Sequence, residues 1–186
     1  MKDVAADMGG MRGRGARGQV APIMSAAARF LREPGGPNVT ALGFSGWDTH
    51  ANQGRVGGQL DRLLGQLACG VLTFREEMGD EWANTTVVVM TEFWRTARPN
   101  GMQGTNHGTA GAGFVIGPNV ASSAVISDWT GLAERSLFES RDLRPTIDTR
   151  SVLEGVIAGV FDLTASQADR VFPGFEGTRG LYELMG

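Results

Sequence analysis

Thr85-Thr86-Val87-Val88-Val89-Met90-Thr91 is the longest β-branched run in the chain, and its reading decides the fold. It is apolar at alternate and at successive positions, the pattern of a strand covered by helices on both faces. Upstream, residues 60–78 place Leu60, Leu63, Leu64, Leu67, Val71, Leu72 and Phe74 at helical spacing. Before that helix, residues 38–44 (Asn38-Val39-Thr40-Ala41-Leu42-Gly43-Phe44) form a second short apolar run. Strand, helix and strand in this order predict a β-α-β unit with a right-handed crossover.

The flanks extend the pattern. Residues 19–31 carry Val20, Ile23, Met24, Ala27, Ala28 and Leu31 on one helical face, and Pro34-Gly35-Gly36-Pro37 stops that helix. Phe114-Val115-Ile116-Gly117 predicts a third strand and residues 124–126 a fourth. Residues 148–160 and 164–171 read as helices capped by Asp148 and Thr164. The predicted fold class is therefore α/β, three layers in α/β/α order around a mostly parallel sheet. Residues 1–18, rich in glycine and arginine, are expected to be a flexible tail, with residues 19–186 forming a single α/β domain.

Composition sets the partners. With 186 residues, 41% apolar and 20% charged, the chain is long enough for a sizeable core. A net charge of −3 without a basic run gives no field for nucleic acid. No apolar stretch reaches the ~20 residues of a membrane helix, and the amino terminus lacks the apolar core of a signal peptide. Neither nucleic acid nor membrane is an expected partner. Cys69, the single cysteine, has no intrachain disulfide partner and reads as a small buried residue of the second helix.

The chemistry gathers at motif ends. The chain has two histidines, one closing Gly46-Trp47-Asp48-Thr49-His50 and one inside Gly104-Thr105-Asn106-His107-Gly108. Glu92-Phe93-Trp94-Arg95-Thr96 follows the strongest strand. In an open parallel sheet, ligands bind outside the carboxyl ends of the strands. Asp48, His50 and Glu92 fall at such ends, and a glycine-bearing loop brings His107 toward them. Aspartate, glutamate and histidine suit a divalent ion, zinc above all. Alternate residues of an extended chain point the same way, so Asp48 and His50 share a side. The bland alternatives are a surface histidine and an Arg95–Glu92 ion pair.

These segments, GWDTHANQ from Gly46, TEFWRTARPN from Thr91, GTNHG from Gly104, then TIDTRSVL and ADRVFPGF, together resemble the DUF1501 family in order and in residues. That family is similar in fold to the alkaline phosphatase and sulfatase superfamily, and the resemblance spans about Val20 to Tyr182, matching the family's carboxyl-terminal part. It implies that Asp48, His50 and His107 ligate one divalent ion, zinc with manganese or calcium as alternatives, and that Glu92 serves the same ion or a second. Arg95 would neutralise an oxygen of a small anionic ester. The family usually reads EFGRT and TDHG, whereas this chain has Trp94 and Asn106 at the variant positions.

In the superfamily the nucleophile precedes the Asp-x-His segment, and no residue here carries its flanking pattern. The expectation is the metal-binding part of a phosphatase-like or sulfatase-like hydrolase without its nucleophile half. The second expectation is a non-catalytic α/β domain with a structural or binding role. An exported or periplasmic origin is implied by the resemblance alone; oligomeric state is not legible.

Overall fold

The computed structural model describes residues 20–121, 125–175 and 185. The predicted tail at residues 1–18 lies outside them. The chain divides between Gly79 and Asp80 into two compact units.

The first unit is built on two helices, α1 (Val20–Leu31) and α2 (Gln59–Met78). Their boundaries follow the periodicity of the apolar residues. Val20, Met24, Ala27 and Ala28 of α1 are buried, as are Leu63, Gly70, Phe74 and Met78 of α2. Gly70 sets the approach: a Cβ there would lie 2.5 Å from Val20 Cγ1 and 3.3 Å from Met24 Cγ. At the other end of the pair, Glu77 accepts from Ser25 Oγ at 2.9 Å and from Arg29 Nη2 at 3.0 Å. Both donors hold the Glu77 carboxyl below the usual glutamate range, with Arg29 the larger influence. Cys69 is exposed, contrary to the sequence expectation. It sits one residue, about 100° of helical turn, from the buried Gly70.

The second unit overturns the predicted sheet. Residues 38–44, in the first unit, form no strand, so the β-α-β unit does not exist. The run at 85–91 contracts to β1 (Val87–Val89), whose residues are half-buried. Its partner is β4 (Phe114–Ile116), antiparallel, with Val87 opposite Ile116 and Val89 opposite Phe114. Between them lie β2 (Trp94–Arg95) and β3 (His107–Gly108), also antiparallel. No parallel strand pair occurs among the described residues, and the three-layer α/β/α architecture is excluded. Of the predicted fourth strand, Val125 and Ile126 have no regular structure, and Ala124 lies outside the described residues.

The two pairs are nested stretches of one interrupted hairpin. Val89 pairs with Phe114 and Trp94 with Gly108, so four residues, 90–93, face five, 109–113. An extra residue on one side bends a hairpin and re-aims the side chains beside it. Those beside it here are Phe93 and Trp94. The hairpin's return is tied down by Thr109 Oγ1, which donates to Leu143 O at 2.9 Å.

Two helices close the unit. α3 (Thr149–Val160) starts at Asp148, whose side chain accepts from Arg150 N at 2.8 Å as an N-cap. Arg150 also pairs with the Asp148 carboxylate at 2.7 Å and lies 4.5 Å over the Phe175 ring. α4 (Ala165–Val171) starts at Thr164, whose N–H donates to Gln167 Oε1 at 2.8 Å, one arm of a capping box. No helix among the described residues is long and apolar enough to cross a membrane.

Candidate functional site

In the first unit, the Asp48 motif is not a strand end but a pair of tight turns. Thr49 N donates to Trp47 O at 2.9 Å and His50 N to Asp48 O at 3.1 Å, each spanning two residues. The turns still put Asp48 and His50 on one side: His50 Nε2 stands 3.0 Å from Asp48 Oδ1, with both side chains partly exposed. Thr49 points the other way and is 3% exposed. Its hydroxyl donates to Gln53 Oε1 at 2.7 Å, which pins the segment from its buried side. Asn52 takes a φ of 50°, turning the chain toward α2.

In the second unit, the hairpin positions three predicted residues. Arg95 lies opposite His107 in the β2–β3 ladder. The Arg95 guanidinium donates through Nε to Thr105 Oγ1 at 2.9 Å and through Nη2 to Thr105 O. His107 is exposed and its imidazole stacks on Phe93, with centroids 5.0 Å apart and planes 13° from parallel. Glu92 is exposed in the bend before β2, outside the ladder. The structure thus brings Asp48 to His50, and Arg95 and His107 to one hairpin.

The loop between β2 and β3 is organised by Asn100. Its Oδ1 accepts from Met102 N at 2.9 Å and Gly104 N at 3.1 Å, and its Nδ2 donates to Asn106 Oδ1 at 3.0 Å. Thr96 N donates to Asn106 O at 2.9 Å, and Asn106 N returns to Thr96 Oγ1 at 3.2 Å. Asn106 therefore turns its side-chain oxygen into the loop. Trp94 packs on Gly111. A Cβ on Gly111 would lie 2.5 Å from Trp94 Cε3. A Cβ on Gly108 would meet Arg95 O at 2.5 Å, so the residue after His107 has no room for a side chain.

Phe93 received no role from the sequence. Its stack on His107 joins residues fourteen positions apart, and the one local hint was its place two residues before Arg95, whose Cζ lies 5.7 Å from the Phe93 ring centroid.

Comparison with known proteins agrees with the motifs. No curated protein and no solved structure matches the chain. The sequence profile of a family described as a protein of unknown function, DUF1501, matches residues 5–173. That match runs over most of the chain, which therefore belongs to the DUF1501 family.

Proposed function

We propose that the chain is the metal-binding part of a hydrolase acting on small anionic esters of the phosphate or sulfate kind. Asp48, His50 and His107 are its ligands for a divalent ion, zinc first, with manganese or calcium as alternatives. Glu92 lies near that ion or a second one. The observation that carries this reading is the 3.0 Å approach of Asp48 Oδ1 to His50 Nε2. Two donors bound to one tetrahedral zinc at ~2.0–2.1 Å stand about 3.3 Å apart, so the pair needs little rearrangement. Oxygen and nitrogen donors without thiolate suit the ions named. The motif order, Asp-x-His, then Glu and Arg, then His, supports the phosphatase and sulfatase likeness; the parallel sheet expected with it is not part of the proposal.

A bound divalent ion would polarise a phosphoryl or sulfuryl oxygen and stabilise charge on an attacking oxygen. Arg95 would hold an anionic oxygen beside it, a planar guanidinium being suited to two parallel hydrogen bonds.

A second reading has its own support. Arg95 holds Thr105 through two donors and Trp94 fills the space above Gly111, so the hairpin also makes sense as packing in a non-catalytic domain.

One experiment separates the two. Purified full chain is assayed for bound metal by elemental analysis and for turnover of aryl phosphates and sulfates, beside His50→Ala, His107→Ala and Asp48→Ala. Stoichiometric zinc that is lost in the variants supports the hydrolase part, from which weak or no turnover is expected without the nucleophile half. A chain without metal in any preparation sinks it in favour of the non-catalytic domain.

A further inference from the structure

A histidine ligand works when its ring nitrogen's lone pair, which lies in the ring plane, is aimed at the ion. The backbone of β3 fixes only where the His107 Cα–Cβ bond points, because the side chain still turns about two torsions. The ring plane needs a second restraint. Phe93 supplies one: the two rings are 13° from parallel at 5.0 Å, a stacked geometry. Stacking engages the face of the imidazole and leaves both nitrogens at its edge. Phe93 itself sits where four residues face five in the interrupted hairpin. The Arg95 guanidinium lies 5.7 Å from the same ring.

We propose that Phe93 is the positioning residue of this site, fixing the plane of the His107 imidazole so that its edge is presented to the metal ion. The part concerning the ion rests on the metal-binding reading above.

The test uses the full chain with zinc as the probe. Phe93→Leu keeps apolar bulk but removes the aromatic face, while Phe93→Tyr keeps the face. With two histidines in the chain, the His107 ring protons are assigned in NMR spectra by comparison with His50→Ala. In the metal-free chain these protons should be displaced upfield by the Phe93 ring current, lose that displacement in Phe93→Leu and keep it in Phe93→Tyr. Zinc affinity should fall roughly two- to tenfold in Phe93→Leu, the equivalent of one aromatic pair, and recover in Phe93→Tyr. Unchanged ring-proton positions or unchanged zinc affinity in Phe93→Leu overturns the proposal. If Phe93→Leu does not fold, the wild-type shift and Phe93→Tyr decide: undisplaced ring protons, or zinc binding lost in Phe93→Tyr, overturns it. A displaced ring in a wild-type chain that takes no zinc removes the metal reading and reduces the stack to hairpin packing, so the two failures are distinguishable.

Discussion

Asp48 Oδ1 and His50 Nε2 stand 3.0 Å apart on the exposed side of a segment whose middle residue, Thr49, is buried. Two tight turns and the Thr49–Gln53 hydrogen bond produce that approach.

If this pair binds zinc, the folded chain is stabilised by mass action, by about 2.7 kcal/mol when free metal is at a hundred times Kd. Adding a chelator should lower Tm by several degrees in wild type and leave His50→Ala unmoved. Scanning calorimetry with and without chelator checks this; superimposable wild-type curves would count against binding.

Gly70→Ala should destabilise the chain. A helix interior favours alanine by up to ~1 kcal/mol. Here, however, the new Cβ would sit 2.5 Å from Val20 Cγ1, and overpacking of this kind costs about 1–3 kcal/mol. Gly65 is the control, since a Cβ there meets nothing within 4 Å. Gly65→Ala should be stabilising by ~0.5–1 kcal/mol. Urea denaturation of both variants reads the two signs.

Asp148→Ala should cost about 1 kcal/mol through the lost cap of α3. The Arg150 guanidinium and the Arg150 N–H hold the Asp148 carboxyl below the usual aspartate range. A carboxyl lowered by folding contributes stability that is present above its unfolded pKa and disappears as pH falls through the lower folded one. Wild-type stability should therefore decline below about pH 4, and less steeply in Asp148→Ala. Denaturation midpoints between about pH 2 and 6 measure the difference; parallel profiles would remove Asp148 from the acid response.

Gly111→Ala should displace the Trp94 indole and cost about 1–3 kcal/mol. In Trp94→Leu the same glycine change should cost much less. A double-mutant cycle from denaturation data gives the coupling, expected at ~0.5–3 kcal/mol for residues in contact. Additive effects would mean that the indole does not rest on Gly111.

The helices were legible because a buried helical face repeats every three to four residues, and Asp148 and Thr164 announced their own starts. The sheet was not. Residues 38–44 carry strand-forming side chains but have no ladder, and side-chain pattern alone does not supply one. The valines at 87–89 look alike for a parallel or antiparallel neighbour, and choosing between them depends on Phe114–Ile116, far along the chain. The candidate site was argued from the strand ends of a parallel sheet that is absent among the described residues. Asp48 and His50 meet through local turns that adjacent residues encode. Phe93 was missed because its partner, His107, is brought back by a hairpin whose register no local pattern reveals.

The Asn100 side chain ties Met102, Gly104 and Asn106 together inside the loop that returns the chain to β3. The number of residues in that loop is thus as constrained as their identity. Inserting or deleting one between Asn100 and His107 would move His107 by one ladder position and turn its imidazole to the opposite face. Among homologous chains, length should vary less here than in ordinary surface loops, even where the residues themselves change.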